Sequence, residues 1–189
     1  MNSSGHGPRR HLLDEMAALQ EQGIHCGACP GHCCTFQGNS VQITPEEALD
    51  LMGWLRSKGR WNRQLEQRLQ EVCDQYRLLS PPPGDGRRTF SRRTYTCPFY
   101  EGERDTLRCT IDPQVKPWGC LAFNPGRAGE SSGESCASRQ DLLRRIDEIR
   151  TPSSAGQDLL PPGFREKAPL PVFLLHLLRH PPAEGGDQP

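Results

Sequence analysis

Leu12, Leu13, Met16 and Leu19 recur at helical spacing within residues 9–22, and Gly23 ends the pattern. After a cysteine-rich stretch, residues 40–44 (SVQIT) predict a short strand. Thr44-Pro45-Glu46-Glu47 then reads as a helix start. Thr44 is the N-cap, Pro45 takes the first helical position, and Glu47 closes a capping box. Leu49, Leu51, Met52 and Leu55 carry that helix to Lys58. Trp61, Leu65, Leu69, Val72, Cys73, Tyr76 and Leu79 share one stripe and predict a second helix over 61–79. Pro and Gly at 80–86 break the chain. Residues 89–111 read as a β-hairpin, with Cys97 and Cys109 on its two arms. A proline-punctuated turn leads to Cys120, and a small-residue linker over 124–135 ends at Cys136. Leu142, Leu143, Ile146 and Ile149 predict another short helix, and LPVFLLHLLR at 170–179 a final one.

This pattern divides into an N-terminal helix (1–23), a cysteine-bearing domain (24–137), a C-terminal helical extension (138–180) and a disordered tail (181–189). The expected fold class is α+β: a small, loop-rich single domain of short helices and a β-hairpin, organised around a cysteine-ligated metal centre.

Composition sharpens that picture. Mean hydropathy is −0.71, and 18 prolines and 19 glycines leave much of the chain as loop. A thin core of this kind needs covalent or metal staples. Lys plus Arg and Asp plus Glu are 23 each, so net charge makes no case for nucleic acid or an acidic membrane surface. The N-terminus carries no apolar signal segment and no run reaches the length of a membrane span. A soluble cytoplasmic protein is therefore expected, and there thiols stay reduced.

Nine cysteines are present, and an odd number fits a closed disulfide framework poorly. Cys73 lies inside a helical stripe and reads as a core thiol. Eight remain: Cys26, Cys29, Cys33, Cys34, Cys97, Cys109, Cys120 and Cys136. All are expected in loops, turns or strand ends. A C-x2-C step lets two thiolates of one turn reach a tetrahedral ion, and Gly27, Pro30 and Gly31 supply the sharp backbone. Adjacent Cys33 and Cys34 diverge, which suggests two metals or a bridging sulfur. Two sites of four cysteines, one cluster with spare ligands, or one site plus redox-active thiols all fit this count. Two all-thiolate sites would carry a formal charge of about −4, which Arg92, Arg93, Arg108 and Lys116 could offset. A structural zinc site contributes roughly 10–16 kcal/mol of apparent binding energy, against about 2–4 kcal/mol for a disulfide. Metal is the stronger staple.

These residues resemble the YkgJ-type cysteine-cluster family, also described as the CxxCxxCC or zinc- or iron-chelating domain. The early motif is matched by CGACPGHCC (Cys26 to Cys34), followed by VQITPEEA, CPF at 97–99, CTID at 109–112, KPWGC at 116–120 and a last cysteine at Cys136. Asp112 stands where the family has Tyr, and Lys116 where it has Arg. The resemblance spans residues 24–137. It implies a metal- or Fe–S-binding domain. The expected function is that of a cytoplasmic protein whose eight cysteines hold zinc or iron, with a 4Fe–4S cluster as one form, in a structural or electron-transferring centre. Similar clusters occur in a bacterial enzyme that methylates flagellin lysines. A metal-dependent redox or group-transfer enzyme, or a zinc-stabilised protein-interaction adaptor, therefore stays open.

Other motifs carry less. CGAC at 26–29 lacks the βαβ setting of a thioredoxin pair. His25 and His32 flank the cysteines and read as neighbours rather than ligands, and His176 and His180 suit a helix C-terminus. GESSG around Ser131 has linker flanks, not the strand and helix of a nucleophile elbow.

Overall fold

The computed structural model describes residues 7–23, 31–80, 93–102, 108–125, 136–138 and 156–182. Among these are five helices and three two-stranded antiparallel sheets, an α+β arrangement. Helix α1 spans Gly7–Glu21. Strand β1 (Gln42–Ile43) leads directly into α2 (Pro45–Ser57). The start of α2 is a complete capping box: the Thr44 hydroxyl accepts from the Glu47 N–H, and the Glu47 carboxylate accepts from the Thr44 N–H.

Helix α3 spans Arg63–Gln75, with the Asn62 side chain accepting from the Leu65 N–H as its N-cap. It is shorter than the apolar stripe predicts. Tyr76–Leu79 form a turn in which Arg77 takes a φ of 51°. That left-handed residue rotates the chain, so Leu78 is buried and Leu79, expected on the stripe, is exposed. Cys73 stays on the buried face as expected.

Strands β2 (Tyr100–Glu101) and β3 (Arg108–Cys109) pair with Tyr100 opposite Cys109. The hairpin is thus shorter than expected. Cys109 lies on one arm, while Cys97 precedes the other. Glu101 anchors the hairpin: its carboxylate pairs with Arg60 at 3.0 Å and with Arg68. Helix α4 (Trp118–Leu121) is a single turn that carries Cys120. Strand β4 (Phe123–Pro125) pairs with β5 (Cys136–Ser138), so both ends of the expected linker are drawn into one ladder. Strand β6 (Ala168–Pro169) pairs with β1 and runs into α5 (Leu170–Arg179). Ser138, the first residue of the helix expected at 138–150, ends β5 instead, and the rest of that helix and residues 183–189 of the tail expected at 181–189 lie outside the described residues.

Helix α5 is the apolar centre. Leu170, Phe173, Leu174 and Leu177 are essentially inaccessible, and they pack with Leu51 and Leu55 of α2 and Leu65 and Leu69 of α3. A second, smaller cluster joins Leu12 of α1 to Trp118, Leu121 and Ala122. Arg9 ties it down by donating to the Lys116 carbonyl at 2.7 Å, pairing with Asp50 and lying over the Trp118 ring. Among the described residues no helix is long and apolar enough to cross a membrane.

Candidate metal centre

Three segments bring cysteines to the seam between the two apolar clusters. The first is the turn at His32–Cys34, a short 3-10 helix. Gly31 starts it at a φ of +82°, and its carbonyl accepts from the Cys34 and Thr35 N–H groups. The Tyr100 ring occupies the space a Cβ at Gly31 would need. The second segment runs through Tyr95 and Cys97. Its backbone is laced to the first by Cys97 N–H to the Cys34 carbonyl (2.7 Å) and Tyr95 N–H to the Asn39 carbonyl (3.0 Å). The Tyr95 hydroxyl donates to the Val41 carbonyl at 2.5 Å, and the Asn39 side chain accepts from the Val41 N–H. The third segment is the chain from β3 to α4, carrying Cys109, Lys116 and Cys120. Asp112 caps the 3-10 turn Pro113–Val115 by accepting from the Gln114 N–H. Glu47 fixes the start of α4: its second carboxylate oxygen accepts from the buried Trp118 N–H at 2.8 Å.

Cys33, Cys34, Cys97, Cys109 and Cys120 consequently line one cavity of about 30 Å³, with Asn39, Val41, Tyr95, Ile111, Lys116 and Leu170 completing its wall. All five are free thiols. Cys34 is hydrogen-bonded to both Cys109 and Cys33, and these bonds, with burial, drive its own pKa far up. The same hydrogen bond is the main reason Cys33 and Cys109 are lowered; with Lys116 beside it, Cys109 comes down to about 6. Burial dominates at the other two, pushing Cys97 up to about 12 and Cys120 well above the ordinary thiol range. The cluster thus mixes thiolate-prone and protonated sulfurs, the state from which a bound cation would displace protons.

The eight cysteines singled out by sequence divide as follows. Five meet at this cavity. Cys136 opens β5, opposite Pro125, and Cys26 and Cys29 lie outside the described residues. Cys33 and Cys34 sit on a turn, as expected, whereas Cys120 sits within a helix rather than a loop. Among the described residues, no three His, Cys, Asp or Glu side chains are already disposed around a common point as ligands. The thiols are gathered, and Cys34 is hydrogen-bonded to Cys33 and Cys109.

The cations expected to offset thiolate charge also divide. Lys116 is buried against Cys109 and Cys33. Arg93 instead donates to the Ser80 carbonyl, Arg108 is exposed, and Arg92 lies outside the described residues. The rings of His176 on α5 and His180 at its C-cap lie 4.8 Å apart, tilted at 43°. His25 lies outside the described residues. The Tyr95–Asn39 backbone bond, the Tyr95–Val41 bond and the Glu47–Trp118 bond have no signature in sequence, because each joins partners remote along the chain. No protein-family profile, no curated protein and no solved structure matches this chain.

Proposed function

We propose that this is a cytoplasmic metal-binding protein of the YkgJ type, in which Cys33, Cys34, Cys97, Cys109 and Cys120 hold zinc or iron, joined by Cys26, Cys29 and Cys136. The observation that carries this is the meeting of five free cysteines from three separate segments at one small cavity. Soft thiolates select zinc or iron–sulfur centres among common metals. Size favours the bare ion. A cavity of about 30 Å³ suits zinc coordinated at about 2.3 Å by the protein's own sulfurs better than a cuboidal cluster that brings four further sulfides. Buried Lys116 offsets part of the thiolate charge.

Anaerobic purification followed by metal and sulfide analysis and an absorption spectrum is the test. Colourless protein with stoichiometric zinc is the expected result. Brown protein with iron and sulfide would replace zinc by a cluster. Protein that takes up neither metal, with the cysteines already paired as disulfides under reducing conditions, would sink the proposal.

One observation favours an enzyme as the second reading. An open cleft of about 540 Å³ between α1 and the β3–α4 segment abuts Cys109 and Lys116, and small-molecule sites are commonly about 300–1,000 Å³. Cobalt substitution distinguishes the two: a visible spectrum that responds to small thiols or carboxylates supports a reachable coordination position, and an unresponsive one supports a closed structural centre.

A further inference from the structure

Cys109 differs from the other four cavity thiols in the space it faces. It lines the cavity, and among the described cysteines it alone also lines the open cleft beside α1. Lys116 borders both spaces and hydrogen-bonds the Cys109 sulfur. On the inner side, the Cys34 thiol is hydrogen-bonded to Cys109. Cys109 therefore borders the open cleft, sits beside a cation, and has a second sulfur already against it.

We propose that in the metal-free chain Cys109 is a hydroperoxide-reactive thiol and Cys34 is its resolving partner. The first step is attack of the Cys109 sulfur on a peroxide oxygen. The S–O bond forms and the O–O bond breaks, and the thiol proton leaves with the departing oxygen as water. Sulfur is oxidised by two electrons to a sulfenic acid. In the second step Cys34 attacks that sulfur. The S–S bond forms, the S–O bond breaks, and the Cys34 proton leaves in a second water. Two thiols and one hydrogen peroxide thus give one disulfide and two waters. Cys33 touches Cys34 as well, but joining adjacent residues closes a strained eight-membered ring, so Cys34 turns to Cys109. The disulfide removes two of the five gathered sulfurs from the cavity, so oxidation and metal occupancy exclude each other. That consequence rests on the metal-binding proposal; the disulfide itself does not.

The test uses the full reduced chain, freed of metal and of reductant under argon and treated with stoichiometric hydrogen peroxide. Non-reducing peptide mapping by mass spectrometry should give the Cys34 peptide joined to the Cys109 peptide. In Cys34→Ser, Cys109 should stop at the sulfenic acid and be trapped by dimedone. A different cross-link, or unmodified Cys109 in the wild-type chain, would overturn the inference, and neither result depends on how the variant folds. Zinc uptake by the reduced chain is measured in parallel. A chain that binds zinc but does not form this bond defeats only the peroxide chemistry. A chain that forms it without binding zinc defeats only the metal reading.

Discussion

Gly31 is the residue on which the first cysteine turn depends. Its φ of +82° lies in the left-handed region, and the Tyr100 ring leaves no room for a side chain. Gly31→Ala is expected to cost about 1–3 kcal/mol and to separate the turn from the hairpin. Urea unfolding checks this; an unchanged midpoint would show that the turn tolerates a Cβ. At this scale the sequence was readable wherever a residue acts on near neighbours. The Thr44–Glu47 box and the buried thiol of Cys73 both follow from local pattern. It was silent on the second bond of Glu47, whose partner Trp118 is 71 positions away. Burial raises the pKa of Glu47 and its hydrogen bonds oppose that rise, so a capping residue also holds the helix that presents Cys120.

Helices were legible because their signals are local: period, cap and stop fall within one segment. The start of α2 and the extent of α5 match their patterns closely. The end of α3 did not, because the apolar stripe runs on past the point where Arg77 turns the chain. Strand pairs of two or three residues are chosen by distant partners, so β1 against β6 and β4 against β5 left no periodic trace. Helix α5 also supplies a pH test. Burial, and then His180 beside it, lower the pKa of His176. The native state therefore binds fewer protons there than the unfolded chain does. Stability from this residue is fully present above its ordinary pKa and declines as pH falls through it toward the lowered value. Comparing urea midpoints between about pH 8 and about pH 5, His176→Gln should lose part of the acid-side decline. An identical pH dependence in both proteins would remove His176 from the account.

For the molecule as a whole, residue type announced the thiol cluster while only folding could assemble it. The five sulfurs come from segments that meet through Tyr95, Asn39 and the second carboxylate oxygen of Glu47, and the long-range bonds that join them leave no motif. A metal held there would join both apolar clusters, so its binding energy would become folding energy. At a free metal concentration a thousandfold above Kd the gain is about 4 kcal/mol. For a chain of this size that is a rise in Tm of roughly 8–16 °C. Calorimetry of the purified protein with and without chelator reads this difference. A chelator that strips the metal and leaves Tm in place would mean that the centre is not a structural staple.

The pairing of β1 with β6 has a consequence for how the chain is made. Residues 42–43 find their partners only at 168–169, immediately before the helix that fills the core. On a ribosome adding roughly 5–20 residues per second, the first cysteines therefore emerge on the order of ten seconds before the last helix does. During that interval the nascent chain offers thiols without the core that later encloses them. Protection of those sulfurs while translation continues falls to the surrounding reductant and to any chaperone holding the chain.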